Sequence, residues 1–139
     1  MAMKFENSKY SKILNYYKLE KPFGNFYLCD NFLISELHEG IHFDWEMIAS
    51  SMDEVIEYYG KNKSIGYISN RVNSYSMNPH NWNKVYDIYN ILHASAVVFY
   101  NDLMYMNATL EKQLSDKSIK RCKTLDEAID WIMNLNEFK

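Results

Sequence analysis

The sequence predicts an α/β fold: a mixed sheet with an N-terminal β-hairpin, then alternating helices and strands, the helices packed on the sheet. Three observations carry this. Two extended runs, 25–30 (NFYLCD) and 32–40 (FLISELHEG), flank a tight Asp30-Asn31 pair, residue types that tolerate the positive φ of a hairpin turn. Beyond them, stretches with apolar residues at 3.6-residue spacing alternate with short apolar runs. One such run, 94–100 (ASAVVFY), is apolar on both faces, as central parallel strands covered by helices on both sides are.

Residues 1–15 show no convincing period and are expected to form a weakly ordered tail, leaving 16–139 as one domain. In the second hairpin strand Phe32, Ile34 and Glu36 alternate with Leu33, Ser35 and Leu37, and Gly40 ends it. Asp44 is placed to N-cap a helix from Trp45, with Phe43 stapling onto Ile48. Its inward stripe is Ile48, Met52, Val55, Ile56 and Tyr59, its outer face is acidic, and Gly60 stops it. A short run at 64–69 leads through the polar loop 70–78 to a second helix with Pro79 in its first turn and Trp82, Val85, Tyr86, Tyr89 and Leu92 inward. After the strand at 94–100, a third helix over about 103–115 carries Leu103, Met106, Leu110 and Leu114 on one side. A short strand at 119–122 precedes a last helix opened by the Thr124/Glu127 capping box, with Leu125, Ala128, Ile129, Ile132 and Met133 inward.

Composition narrows the function classes. The chain has 139 residues, 47% of them hydrophobic, so it can bury about two-thirds of its unfolded surface without a disulfide or structural metal. Its 15 Lys+Arg against 18 Asp+Glu exclude a binder that draws its affinity from basic residues facing phosphates, so no nucleic-acid partner is expected. Cys29 and Cys122 lie far apart with no C-x-x-C spacing, and residues 1–12 lack a secretory signal's apolar region, so a cytoplasmic, reduced protein is expected. No stretch approaches the ~20 apolar residues of a membrane span. The unusual number is 12 Tyr, which poses the question of whether these rings meet each other or a ligand.

Two motifs bear on chemistry. His38-Glu39-Gly40-Ile41-His42 matches H-E-x-x-H, the pattern that binds zinc when one helix aligns both rings. Here Gly40 ends a strand and Asp44 caps the helix that follows, so no metal site is expected. The second motif is the strand-to-helix loop, in which Asn70, Arg71, Asn73, Ser74, Tyr75, Ser76 and Asn78 are the candidate binding residues. Such loops lie beyond the carboxyl ends of strands, where open α/β sheets bind ligands, and this one feeds a helix N-terminus that favours anions. Arg71 offers a fixed positive charge and a planar donor fork, and Ser74 and Ser76 are candidate phosphorylation sites. The competing reading is a purely structural loop, since Asn and Ser also cap helices and close turns. No nucleophile has a base near it in sequence, so no catalytic residue or cofactor is assigned and a non-enzymatic role is expected.

The order of elements over residues 25–131, together with this loop, resembles the STAS domain of bacterial anti-sigma-factor antagonists and of sulphate transporters. The phrases EGIHFDW (39–45) and GYISNRVNSYSMNP (66–79) are similar to those of short bacterial proteins grouped with STAS and SEC14-like lipid-binding domains. The resemblance implies a regulatory module whose partner is an anti-sigma or kinase-like protein, with Ser74-Tyr75-Ser76 standing where the antagonists carry their phosphorylated serine. This stretch lacks the preceding aspartate and following glycine of that element. A small anionic or lipid-like ligand held against an aromatic wall is the alternative, and a homodimer is a further expectation from exposed aromatics and a short terminal strand.

Overall fold

The computed structural model describes residues 2–135; Met1 and residues 136–139, the outer ends of the expected tail and domain, lie outside the described residues. It is an α/β fold with six strands in one mixed sheet: β1 (Tyr17–Lys21), β2 (Gly24–Leu28), β3 (Phe32–Leu37), β4 (Ile65–Asn70), β5 (Leu92–Val98) and β6 (Ile119–Cys122). They lie in sequence order across the sheet. β1, β2 and β3 pair antiparallel, while β3 through β6 run parallel. The helices are α1 (Tyr10–Ile13), α2 (Trp45–Tyr59), α3 (Asn81–Tyr89), α4 (Asp102–Leu114) and α5 (Leu125–Met133), with a 3-10 turn at Phe5–Asn7.

This strand order decides where the helices go. The parallel strands advance in one direction, so right-handed crossovers lay α2, α3 and α4 on the same face. Ile48, Met52, Val55, Trp82, Val85, Tyr86 and Ala108 form the core there with Leu33, Val97 and Ile119. The opposite face receives no crossover helix. It is covered by the chain's two ends, Phe5 from the N-terminal turn and Leu125, Ala128, Ile129 and Ile132 from α5, over Ile34, Ile68, Ala96 and Val98.

Within the segment expected as a tail lie the 3-10 turn Phe5–Asn7 and α1. Phe5 is fully buried, its ring 4.9 Å from that of Tyr16 and 4.7 Å from that of Tyr27. The period is missing because one turn and one short helix contribute a single core side chain. β1 is an additional strand, outside the sequence expectation: only Leu19 of its five residues is buried, and its Lys and Glu residues guard a sheet edge. The hairpin forms at Asp30-Asn31, closed by the Cys29 N–H donating to Phe32 O at 2.8 Å. α2 starts and stops as expected, with Asp44 Oδ1 accepting from the Met47 N–H at 2.9 Å.

Two further expectations are corrected, one in α3 and one in α5. Leu92 opens β5 rather than closing α3, because Asn90 adopts the left-handed conformation (φ 47°) and ends the helix. In α4 the side carrying Leu103, Met106, Leu110 and Leu114 is the exposed one, while Met104, Ala108 and Glu111 face inward, Glu111 anchored as described below. Met133 of α5 likewise faces outward. Among the described residues no helix is long and apolar enough to cross a membrane.

Candidate functional site

The loop after β4 is held from both sides of the sheet. Asn70, the last residue of β4, is buried and faces the covered side formed by the chain ends. Its Nδ2 donates to Glu36 Oε2 at 2.7 Å and to Met3 O at 2.9 Å, and its Oδ1 accepts from the Tyr100 hydroxyl at 2.6 Å. Arg71 points the other way, under α3 and α4, and is 5% exposed. Its Nη1 and Nη2 donate to the two oxygens of Glu111, both at 2.6 Å, and its Nε donates to Ser69 Oγ at 3.1 Å. Glu111 Oε1 also accepts from the Trp82 indole N–H at 2.8 Å. The Tyr75 ring lies 5.2 Å from the guanidinium carbon.

This geometry revises two of the candidates. The sequence suggests Arg71 as a free cation for an anion, but its charge is balanced by a bidentate, buried carboxylate, so it positions the loop and offers no net charge outward. Asn70 is committed to Glu36, Met3 and Tyr100, on the far side from the loop's surface. The remaining candidates stay together. Asn73 Nδ2 donates to Leu37 O at 3.0 Å. Ser74 O accepts from the Gly40 N–H at 2.7 Å, the Ser76 N–H donates to Ile41 O at 3.0 Å, and Ser76 O accepts from the Phe43 N–H at 2.8 Å. The loop thus runs as a ribbon alongside residues 40–43. Ser74, Ser76, Asn78 and His80 are exposed, while Tyr75, Met77 and Pro79 between them are half-buried. Pro79 precedes α3 by two residues instead of standing in its first turn.

The H-E-x-x-H residues take part in this ribbon. Gly40 has φ +78°, which breaks the chain between β3 and α2, so His38 and His42 share no helical face. Glu39 Oε2 accepts from the Ser74 N–H at 2.8 Å, and His42 Nδ1 lies 2.8 Å from Ser76 Oγ. The two serines therefore differ: a phosphoryl group on Ser76 would meet an imidazole, and one on Ser74 would meet a carboxylate. Among the described residues no three His, Cys, Asp or Glu side chains converge on a point. Burial pushes the Cys29 thiol up to about 12 and the Cys122 thiol up to about 11, so neither offers a thiolate at neutral pH.

The tyrosines find partners within the protein. Ser35 of β3, Ser69 of β4 and Ser95 of β5 all face α2–α4, and each bonds a tyrosine hydroxyl: Tyr67 at 2.7 Å, Tyr75 at 2.9 Å and Tyr86 at 2.8 Å. The apolar crevice between α2, α3 and the sheet, walled by Met52, Tyr67 and Trp82, has a free volume of about 50 Å³. This is well below the ~150 Å³ of a cavity that admits benzene. A roomier cleft of about 320 Å³ lies beyond the carboxyl ends of β5 and β6, against Ser8, Lys9, Tyr100, Thr124 and Asp126.

Sequence reading misses the Glu36–Asn70–Tyr100 cluster under the N-terminal segment. Glu36 is buried, and its Oε2 also accepts from the Phe5 N–H at 2.7 Å. Burial raises its carboxyl above the ordinary carboxylate value, against the lowering effect of the Phe5 N–H and the Asn70 amide. The signal is the Phe32, Ile34, Glu36 alternation, which puts a carboxylate on an otherwise apolar face. In comparisons with known proteins, the chain matches no family model, no curated protein and no solved structure.

Proposed function

We propose that this protein is a non-enzymatic STAS-like binding module that engages a protein partner through the ribbon 73–80, with phosphorylation of Ser76 as the switch. The observation that carries this reading is the ribbon itself. Its backbone is fixed by hydrogen bonds to residues 37–43 and by the Arg71–Glu111 pair, and every second side chain from Ser74 to His80 faces solvent. A preformed polar edge binds without first losing loop entropy. With Arg71 neutralised internally, the surface suits hydrogen bonding to a protein better than capture of a free anion.

The test is equilibrium binding of wild type, Ser74→Asp and Ser76→Asp to candidate kinase-like anti-sigma partners. Wild type is expected to bind at least one, and Ser76→Asp to shift that affinity about tenfold, corresponding to ~1.4 kcal/mol. Ser74→Asp puts the same negative charge beside Glu39 instead of His42 and is the comparison at the same edge. Indifference of all three proteins to every partner removes the proposal.

A small polar ligand is the second reading, favoured by the 320 Å³ cleft at the ends of β5 and β6 rather than by the nearly filled aromatic crevice. Native mass spectrometry after gentle purification distinguishes it: a co-purifying mass supports the cleft, and a clean apo mass argues against tight retention.

A further inference from the structure

The face covered by the chain's ends changes character at one level of the sheet. Side chains on that face run from Ile34 to Glu36 in β3, from Ile68 to Asn70 in β4, and from Val98 to Tyr100 just past β5. The apolar surface thus ends in a carboxylate, an amide and a phenol on three adjacent parallel strands. These are the carboxyl ends of the strands, where open α/β sheets hold ligands. What the three groups hold is backbone of residues 3–5. Lys4 is extended (φ -71°, ψ 146°), which turns the Met3 carbonyl and the Phe5 N–H to one edge. Glu36 Oε2 accepts from that N–H at 2.7 Å, Asn70 Nδ2 donates to that carbonyl at 2.9 Å, and the Tyr100 hydroxyl lies 3.4 Å from it. The Phe5 ring fills a pocket against Tyr16 and Tyr27.

We infer that Glu36, Asn70 and Tyr100 form a recognition site for an extended peptide bearing an aromatic side chain, and that residues 3–5 occupy it as an exchangeable stand-in. A backbone edge met by fixed donors and acceptors, with a pocket for one side chain, is how strand-like peptides are recognised. The matching ligand offers a carbonyl and, two residues later, an aromatic residue whose N–H faces the carboxylate. The resident segment grips shallowly. Met3 is 43% exposed, Lys4, Glu6 and Asn7 are exposed, and the buried Ser8 hydroxyl bonds back to Phe5 O at 2.6 Å. The cleft of about 320 Å³ lies unfilled between this segment and the start of α5, bounded by Met3, Asn7, Tyr100 and Leu125. Tethering offsets the shallow grip, because a short linker presents the segment at an effective concentration of roughly millimolar. An incoming peptide competes with that tethered copy and frees it. The site is on the opposite face from the ribbon 73–80 and stands independently of the role proposed there.

Fluorescence anisotropy on the full chain tests this, with a labelled synthetic peptide copying residues 2–13 (AMKFENSKYSKI) as the probe. The proteins are wild type, Phe5→Ala, and Phe5→Ala combined with Asn70→Ala or with the milder Tyr100→Phe; thermal melts check each fold, and Phe5→Leu replaces Phe5→Ala if the latter does not melt cooperatively. Phe5→Ala is expected to bind the probe, and wild type to bind it saturably but at least about tenfold more weakly. Bound probe should also speed amide exchange within residues 3–16 of wild type. A probe carrying Phe5→Ala, and the Asn70→Ala combination, should each lose at least about tenfold, and the Tyr100→Phe combination about threefold. Wild type that shows no saturable binding up to about 1 mM probe makes the segment a fixed part of the fold and overturns the proposal. Equal binding of the two probes overturns it as well, as does indifference to both Asn70→Ala and Tyr100→Phe.

Discussion

The two faces of the sheet solve the same burial problem in different ways. On one, the crossover helices α2, α3 and α4 arrive as a consequence of strand order, and the buried charge beneath them is an ion pair, Arg71 with Glu111. On the other, no connection supplies cover, so the chain's two ends do. The buried charge there is Glu36, whose hydrogen bonds come from the neutral Asn70 amide and Phe5 N–H. A face covered by connections is held by every neighbouring strand. A face covered by ends depends on a few side chains of the end segment, with Phe5 foremost.

That contrast can be broken most directly at Glu111. Glu111→Ala leaves Arg71 buried without its partner and Trp82 without its acceptor, and is expected to cost ~3–5 kcal/mol in urea unfolding. The ribbon 73–80 should also lose amide-exchange protection, because Arg71 is its anchor. On the other face, Phe5→Ala removes a fully buried aromatic and is expected to cost about 3 kcal/mol, toward the lower end for such truncations because a three-residue turn with one buried side chain relaxes more readily than a long helix. Limited proteolysis should then cut first within residues 3–16, with the ribbon still protected. A loss of protection spread evenly over both faces would show that they do not behave separately.

The smallest expected effect sharpens the difference in charge. Because burial raises the Glu36 carboxyl, the folded state holds that proton more tightly than the unfolded chain does. The resulting stability is fully present below the ordinary value of 4.5 and is lost as pH rises through the raised one. Glu6 has the opposite sign: hydrogen bonds from Tyr27 and Lys18 lower its carboxyl, so its contribution is present above 4.5 and lost as pH falls through the lowered value. Urea unfolding of wild type between pH 4.5 and neutrality should therefore lose stability with rising pH relative to Glu36→Gln. Parallel pH profiles for the two proteins in that window would remove Glu36 as the source.

What the sequence makes legible follows the range of the forces involved. The start and stop of α2 are readable because Asp44 and Gly60 act on their own neighbours, and the Asp30-Asn31 hairpin for the same reason. The rotation of α4 is not, since it is set by a bond between residues 40 positions apart, Arg71 and Glu111. The same bond explains why Arg71 misleads: a cation in a polar loop looks free until the carboxylate that neutralises it arrives from another element. The loop itself is legible as a strand-to-helix connection, yet its pairing with residues 40–43 has no local signature. β1 and the N-terminal turn are illegible because each contributes one core residue, Leu19 and Phe5, too few to make a period.

The cover supplied by the chain ends has a consequence for how the molecule is made. Asn70 and Tyr100 bond to Met3 across 67 and 97 residues of sequence, and α5 packs on the same face from further away still. During synthesis Phe5 emerges long before the helix that completes its surroundings. The crossover side of the sheet can assemble from near neighbours as they leave the ribosome, whereas the opposite side must wait for α5. Long-range closure of that kind slows folding and leaves apolar strand surface exposed in the interval. A nascent chain halted before residue 125 would thus be half a protein in a particular sense, one flank finished and the other open to whatever chaperone or neighbour reaches it first.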